Sequence, residues 1–367
     1  MNTTQRSPRV EAGLNARLRF FQSLVSSIGF GAVFDHRASG ELFHRPVDER
    51  FASLVALWEH AEQIPTMHLA GMLVPYFHPK ADGLLPVLSE DPDELAEVNP
   101  FAPLVIMNVA KRVAQISRGR PFERFAVIVR PCEGRALAAI EKRQPFGLSR
   151  WFVIGVDCFA SFPYEDFSWR LEKAGSINTL TQETLKFARQ GEIAPYRFRR
   201  ACQMCHSAGW KGADLTIGLL GLPINDYILI TPKDAETARK YHLNQITDGF
   251  APPGSLALRE QVLMAKDLRH LSIEQRMIGD LGDHHPDQAE ELVVMLQHCA
   301  PCRSCLHACP LYNGECENLQ VGYKAQIEAI NYWLSFCVAC GICEEACLRH
   351  LPLTAIFSHI GQATLVI

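Results

Sequence analysis

Residues 124–158 read RFAVIVRPCEGRALAAIEKRQPFGLSRWFVIGVDC and decide the fold class. The runs RFAVIVR and RWFVIGVD are rich in β-branched and aromatic residues, which is typical of buried strands. Between them Leu137, Ile140 and Glu141 have helical spacing, and Pro145 is a stop signal. Because strands joined by a helical crossover pair in parallel, the stretch predicts a βαβ unit within an α/β fold with a partly parallel sheet.

A cysteine follows each of the two predicted strands. Cys132 comes directly after the first strand and Cys158 directly after the second. Both are expected at the carboxyl edge of one sheet, where open α/β sheets place their sites. Cys202 and Cys205 form a CxxC pair just before a third β-like run, DLTIGLL. We predict that these four thiols converge on one site, which suits a 4Fe–4S cluster or a zinc ion.

The C-terminal part contains a second concentration of cysteines. Nine of the thirteen cysteines lie between Cys299 and Cys347, in two runs with CxxCxxCxxxC spacing. In two-cluster ferredoxins the fourth cysteine of each run binds the cluster of the other run. The predicted ligands are therefore Cys299, Cys302, Cys305 and Cys347 for one 4Fe–4S cluster, and Cys309, Cys337, Cys340 and Cys343 for the other. Cys316 fits neither run and is interpreted as a bystander thiol.

The connector between the two runs indicates which kind of ferredoxin this is. Its sequence VGYKAQIEAINYW places apolar residues at helical intervals. A helical connector that ends in an aromatic residue before the second run resembles the all-α ferredoxin domains of heterodisulfide-reductase-type subunits. We therefore expect a mainly α-helical two-cluster ferredoxin domain. Leu348 stands where the second run usually has proline.

Three segments of residues 84–232 resemble a known family. The segments VIVRPCEGRAL, FVIGVDCFASFPYEDF and CQMCHSAGWKGADLTIGLLGLP are similar, in that order, to landmarks of the beta subunits of deazaflavin-reducing hydrogenases and formate dehydrogenases. The resemblance implies a 4Fe–4S cluster at Cys132, Cys158, Cys202 and Cys205, close to a bound FAD. It implies that the flavin exchanges hydride with a deazaflavin or a nicotinamide. The clusters would pass single electrons to a catalytic partner.

Candidate cofactor contacts surround the CxxC pair. Thr216, Gly218 and Gly221 lie on the Gly-rich strand segment, where glycine lets a backbone approach a flavin closely or simply forms a turn. His206 follows the CxxC directly and is either a hydrogen-bond donor near a cluster sulfur or a surface histidine. The basic stretch RFRR at 197–200 either neutralises a cluster or flavin or forms a solvated face.

Composition shifts divide the chain into four predicted parts. The best boundary is DGFAPPGS, with two prolines and two glycines, and a second linker, DLGDHHPDQ, contains His284 and His285, interpreted as solvated. The parts are 1–83, an N-terminal scaffold or partner-docking region; 84–250, the flavin and iron–sulfur domain; 251–290, a linker and helix; and 291–367, the ferredoxin-type domain. Residues 1–83 contain no cysteine, and Glu133 stands where the family pattern has glutamine.

Overall composition excludes several classes of function. The formal net charge of −4 gives no electrostatic reason to expect a nucleic acid or an anionic membrane as partner. No apolar run reaches the length of a membrane span, and the first residues lack the apolar core of a signal peptide. An odd cysteine count argues against a disulfide framework and for metal ligation. We therefore expect a protein of the reducing cytoplasm.

Three functions are compatible with these patterns. The favoured one is an electron-transfer subunit with three 4Fe–4S clusters and FAD. It would link a catalytic subunit (a molybdenum or tungsten formate dehydrogenase, a nickel–iron hydrogenase or a heterodisulfide-reductase-like core) to a soluble carrier, which is a deazaflavin, a nicotinamide or a ferredoxin. The alternative is a self-contained flavin and iron–sulfur reductase of an organic substrate. The third is a non-redox adaptor with zinc at the Cys132 site.

Overall fold

The structure is a computed structural model that describes most of the chain after residue 68. The described residues are 43–46, 69–78, 83–91, 95, 98–187, 190, 198–224, 227–240, 249–282, 285–299, 302–312 and 323–364. Cys316, His284 and the first residue of the RFRR stretch lie outside them. Most of the predicted region 1–83 also lies outside, apart from 43–46, 69–78 and residue 83.

The described residues form strands and helices that alternate along much of the chain. The strands are β1 (Phe43–Pro46), β2 (Gly71–His78), β3 (Gly83–Ser89), β4 (Phe125–Val129), β5 (Trp151–Val156), β6 (Leu215–Gly218), β7 (Tyr227–Pro232) and β8 (Gly249–Phe250). The helices are α1 (Ala110–Gly119), α2 (Pro131–Arg143), α3 (Tyr164–Ala174), α4 (Ile177–Leu185), α5 (Arg200–Gln203), α6 (Ala235–Lys240), α7 (Ser255–Gly279), α8 (Ala289–His298), α9 (Ser304–Ala308), α10 (Tyr323–Leu334), α11 (Ile342–Glu345) and α12 (Leu353–Thr364).

All eight strands form one mixed sheet with the order β3-β2-β4-β5-β6-β7-β1-β8. The four neighbours β2, β4, β5 and β6 are parallel, and the remaining pairs are antiparallel. In the central pair Phe125 is opposite Trp151 and Val129 is opposite Gly155. The predicted βαβ unit and the partly parallel sheet are thus confirmed. Strand β2 pairs with β4, so the sheet extends across the predicted boundary between residues 83 and 84.

The sheet is buried on both faces because its central strands are apolar at every position. On one face Val127 and Val153 pack with Leu137 of α2 and Val113 of α1. On the other face lies a second core that contains Ile128, Ile154, Ile217 and Ile230. Burial on both sides makes the sheet a scaffold that positions the loops at its carboxyl edge.

The C-terminal region is helical, as predicted from its sequence. Helices α8, α10 and α12 pack around a core that contains Leu292, Trp333 and Phe357. Ala139 and Ile140 of α2 pack against this same core. The ferredoxin-like region is therefore docked on the crossover helix of the βαβ unit. No helix in the described part of the chain has the length and apolar character that a bilayer crossing requires.

Helix α7 has an unusual buried face. The sequence pattern of Leu258 and Leu268 predicts this helix, but both of these side chains are exposed. The face turned toward the sheet is mostly polar or charged, and its buried residues are Ser255, Arg259, Leu263, Lys266, His270 and Glu274. The reason is that α7 covers the carboxyl edge of the sheet, where polar groups need partners.

One of those partners is Asp157, which directly follows β5. Arg259 donates to both of its carboxylate oxygens, from Nη2 at 2.6 Å and from Nε at 2.9 Å. The same carboxylate accepts the backbone N–H groups of Leu219 and Leu220 at 2.8 and 3.2 Å. This buried network joins helix α7, the end of β5 and the loop after β6.

Candidate metal centres

The four cysteines predicted to converge line a single cavity. Cys132 lies in the first turn of α2, Cys158 directly after β5, and Cys202 and Cys205 in and after the short helix α5. All four line one cavity of about 390 Å3, part of it open to solvent. The cavity wall also contains Arg199, Lys266 and a cysteine of the C-terminal region, Cys340.

Local structure explains why Cys132 lies at this edge. Helix α2 starts with Pro131, whose fixed φ suits the first helical position. The carboxylate of Glu133 accepts the backbone N–H of Arg130 at 2.9 Å and that of Val109 at 3.3 Å. These bonds satisfy backbone donors at the start of the helix. Cys132 is thereby held one residue inside a well-capped helix at the end of β4.

The thiols of this cavity influence one another electrostatically. Burial raises the pKa of Cys158 to about 11; Arg130 opposes the rise, and Cys202 and Cys205 add to it. Burial also raises the pKa of Cys132, with further increases from Glu133, Cys158 and Cys340. Thiolates are the form that binds metals, so a bound cation or cluster offsets this cost of ionisation.

The arrangement suits a group that occupies volume between its ligands. Within the described residues, no three histidine, cysteine, aspartate or glutamate side chains are arranged to hold a single metal ion. The four thiols surround a cavity instead, and a cubane cluster fills the space between four cysteine ligands.

The two C-terminal runs also bring their cysteines together. Cys305 has its pKa raised to about 11 by burial and by the nearby Cys347, Cys299 and Cys302. Cys343 belongs to a second group with Cys340, Cys309 and Cys337. Burial raises the pKa of its thiol, these three neighbours raise it further, and Cys305 has a smaller effect. Each group thus takes three cysteines from one run and the fourth from the other. This is the exchange that the spacing predicts.

Two buried donors beside the second group lack partners. In the part of the chain that the structure describes, Nδ2 of Asn108 and Nε1 of Trp333 have no hydrogen-bond partner. Burial raises the pKa of Cys309 to about 11, and the neighbouring Trp333 opposes this shift. Burial likewise raises the pKa of Cys340, and Asn108 is among the groups that oppose it. Unpaired buried donors next to thiols fit a cluster whose sulfur atoms accept their hydrogen bonds.

The three groups differ in their exposure. In the first C-terminal group Cys302 is exposed, and Arg349 donates to Cys299 Sγ at 3.5 Å. In the second group Cys309 and Cys343 are buried, whereas Cys337 is exposed. The second group is adjacent to the Cys132 cavity, because Cys340 belongs to the group and lines that cavity. The second group therefore lies between the first group and the Cys132 cavity.

The other predicted contact residues lie beside α7. A Cβ at Gly218 would meet Arg259 Cδ at 2.7 Å, and one at Gly221 would meet the Leu258 carbonyl oxygen at 2.7 Å. These two glycines allow helix α7 to approach the sheet closely. Thr216 lies within β6, opposite Gly155 and Thr231, and lines neither of the cavities near the thiols.

The histidine that contacts the CxxC backbone is His270, not His206. His206 Nε2 lies 3.5 Å from the carboxylate of Glu274, and its side chain is about half exposed. The ring of His270 is hydrogen-bonded through Nδ1 to the Cys205 carbonyl at 2.8 Å and is buried. No sequence pattern indicates a role for His270, because its place beside the CxxC depends on the docking of α7.

Replacing Gly221 by alanine is expected to destabilise the protein more than the same change at Gly175. Both glycines have positive φ, 77° and 74°, so both variants carry the strain of a left-handed backbone. Only the Gly221 methyl group meets another backbone atom, whereas nothing lies within 4 Å of a Cβ at Gly175. Urea denaturation should give about 1 kcal/mol for Gly175→Ala and at least about twice that for Gly221→Ala. Equal losses would contradict the close approach of α7.

A second cavity lies on the other side of the α2 N-terminus. It contains about 430 Å3 of empty space, part of it open to solvent, and is lined mainly by apolar residues, among them Leu84, Leu104, Val105 and Ile128. Two buried charged residues, Arg130 and Glu133, also line it, and they flank the Pro131–Cys132 pair of the thiol cavity. An apolar cavity with a few polar groups is typical of sites for cofactors and other small molecules.

Comparison with known proteins identifies the domain that contains the Cys132 cavity. The family described as the C terminus of the coenzyme F420 hydrogenase/dehydrogenase beta subunit matches residues 122–238. These residues include all four cysteines of the cavity. The F420-dependent formate dehydrogenase subunit beta of Methanocaldococcus jannaschii is 23% identical over 314 residues, which cover 75% of this chain and 79% of that protein. Residues 122–238 thus form a domain that matches the C-terminal part of the coenzyme F420 hydrogenase/dehydrogenase beta subunits.

Proposed function

We propose that this protein is the electron-transfer subunit of a multi-subunit oxidoreductase and carries three 4Fe–4S clusters and an FAD. The observation that carries the proposal is the position of Cys340, which belongs to the second C-terminal group and also lines the Cys132 cavity. Two cluster sites that share a wall allow rapid transfer of single electrons between them. Such continuity is expected of a relay.

The cluster ligands follow from the three groups of cysteines. The outer cluster would be bound by Cys299, Cys302, Cys305 and Cys347, the middle one by Cys309, Cys337, Cys340 and Cys343, and the inner one by Cys132, Cys158, Cys202 and Cys205. The exposed Cys302 places the outer site at the surface, where a partner can deliver or accept electrons. Electrons would move between this surface and the interior of the α/β domain.

The flavin ring would occupy the second cavity rather than the Gly218–Gly221 segment. Pro131 and Cys132 line the inner cluster site, and Arg130 and Glu133, which flank them in the sequence, line this cavity. Its apolar wall suits a planar aromatic ring, and Arg130 places a positive charge at its edge. A flavin there would exchange hydride with a carrier as a pair of electrons and pass these electrons singly to the cluster.

The relative's name supports the choice of carrier and partner. The protein from Methanocaldococcus jannaschii is called an F420-dependent formate dehydrogenase subunit. By analogy, the carrier here would be a deazaflavin, with nicotinamide and ferredoxin as the alternatives to test. The partner would be a catalytic subunit of the formate dehydrogenase, hydrogenase or heterodisulfide-reductase-like type.

Flavin release and anaerobic reduction test this function. The purified full chain should yield about one FAD after acid treatment, and a reduced deazaflavin should bleach the flavin and produce the EPR signals of reduced clusters. Val105→Trp, which fills the second cavity, is expected to remove the flavin and leave the iron content unchanged. Val294→Trp, at an exposed position of α8, is the matched control and should keep both the flavin and the iron.

Two results would contradict the proposal. One is a full iron content with no flavin and no reduction by a deazaflavin or nicotinamide. The other is a reduced organic substrate that turns over without any partner subunit, which would support the self-contained reductase instead.

A further inference from the structure

Two arginines connect the inner cluster site to the middle one. Nη2 of Arg199 lies 3.8 Å from Cys202 Sγ and donates to the Cys340 carbonyl at 3.2 Å. Nη2 of Arg135 lies 3.8 Å from Cys205 Sγ and donates to the Val338 carbonyl at 3.1 Å. Each guanidinium therefore contacts one sulfur of the CxxC pair and one carbonyl of the loop that begins the second cysteine run.

The two arginines are held firmly in this position. Arg199 is 3% exposed, and its Nη1 donates to the Val105 carbonyl at 3.3 Å. Nη1 of Arg135 reaches the Ser207 carbonyl at 3.5 Å. Both side chains are thus fixed on the α/β domain while one nitrogen of each contacts the C-terminal loop.

The CxxC segment and the second cysteine run are tightly packed against each other around the two arginines. Gly341 has a φ of 71°, and a Cβ at this position would overlap the side chain of Ala201. Arg200 adds an ion pair with Glu344 at 2.8 Å between the same two segments. The CxxC segment and the second cysteine run are therefore packed backbone to backbone, with the two arginines beside the thiols.

The charge of these arginines matters because clusters with four thiolates are anionic. Such a 4Fe–4S cluster has a charge of about −2 when oxidised and about −3 when reduced, so a nearby cation stabilises the reduced form. A guanidinium is always charged, and its effect is strong in a partly buried site where water does not screen it. Net charge and hydrogen bonds to sulfur are among the factors that set cluster potentials.

We propose that Arg135 and Arg199 form a charged bridge that positions the inner and middle clusters for direct electron exchange and raises the reduction potentials of both. This inference rests on the proposed function. In the step that it serves, one electron leaves the reduced cluster at one site and enters the oxidised cluster at the other. No covalent bond forms or breaks, and no proton moves. The arginines are positioning residues and exchange no electron themselves.

Redox titration of the anaerobic full chain, followed by EPR, tests the bridge. Arg199→Gln and Arg135→Gln should each retain about twelve irons and show a more negative potential for the inner cluster, with a smaller shift for the middle one. We expect about a tenfold change in the equilibrium constant for reduction, which is about 59 mV for one electron. Arg199→Lys and Arg135→Lys keep the charge and should titrate close to the wild type.

Arg150→Gln is the matched control. Arg150 also donates to backbone carbonyls, those of Ser117 and Phe146, but at the opposite edge of the sheet from the cysteines. Its loss should leave every potential unchanged.

Three results would overturn the bridge. They are wild-type potentials in both glutamine variants, an equal shift in Arg150→Gln, and lysine variants that shift as far as the glutamine variants. If a glutamine variant loses iron, the reduction potentials are measured in its lysine counterpart instead. Because lysine keeps the positive charge, these potentials should equal those of the wild type. A wild-type chain with about eight irons or fewer would instead refute the proposed function.

Discussion

Replacing Cys158 by alanine is expected to lower the iron content of the anaerobically purified protein from about twelve to about eight atoms per chain. Cys158 follows β5 directly, and Cys202 and Cys205 lie close enough to it to raise its pKa. Removal of its thiol leaves three ligands in the inner site, and the rigid end of a buried strand offers no substitute. The two other proposed clusters have their own sets of four cysteines and should remain.

The electron path should be interrupted in the same variant. Dithionite should still reduce the two C-terminal clusters, whereas reduction of these clusters by a deazaflavin should be lost with the inner cluster. Cys316→Ala is the control, because Cys316 stands outside both cysteine runs in the sequence, and it should keep about twelve irons. An unchanged iron content in Cys158→Ala would show that this cysteine binds no cluster.

The largest loss of stability is expected when the Asp157–Arg259 ion pair is broken on one side. The two side chains are buried, and Asp157→Asn would leave the guanidinium with only the exposed Glu260 as counter-ion. Removal of one partner of a buried pair typically costs about 3–5 kcal/mol in the free energy of unfolding. The loop after β6 should also loosen, since Asp157 accepts the backbone N–H groups of Leu219 and Leu220.

Urea denaturation of a variant series isolates the contribution of this pair. The double variant Asp157→Asn/Arg259→Met should regain more than half of the loss, because no unpaired charge remains buried. Arg120→Met is the surface control, since Arg120 pairs with Glu90 and Glu123 in partly exposed positions, and it should cost about 1 kcal/mol or less. If Asp157→Asn were no less stable than Arg120→Met, the buried pair would not anchor α7.

The parts of the fold that the sequence predicts well are those set by local pattern. Strands β4 and β5 are short apolar runs around a helix, so their parallel pairing and the edge positions of Cys132 and Cys158 follow from general rules of α/β folds. The exchange of cysteines between the C-terminal runs follows from spacing alone. In both regions the predicted cysteine ligands are close in sequence or directly follow adjacent strands.

The contacts that cannot be predicted from the sequence are those between elements that are far apart in the chain. Apolar periodicity predicts the helix that contains Leu258 and Leu268, but not which face it buries. Both leucines are exposed, and the polar residues Arg259 and His270 face the sheet edge instead. The close approach of this same helix at Gly218 and Gly221 is likewise not visible in the sequence.

The two arginines of the bridge differ in how far the sequence points to them. Arg199 belongs to the basic stretch before the CxxC, which could be linked to a cluster but not to a particular sulfur. Arg135 is three residues after Cys132 on α2, and therefore on the same face of the helix. That spacing places it near the cavity, but the Val338 carbonyl to which it donates is known only from the docked C-terminal region.

The central claim is that the four cysteines at the sheet edge bind a third cluster beside the two of the C-terminal region. Quantification of iron, acid-labile sulfide and zinc in the anaerobically purified full chain tests it most directly. The claim predicts about twelve irons, about twelve sulfides and no zinc per chain. About eight irons with one zinc would contradict it, and would make the inner site a structural zinc centre.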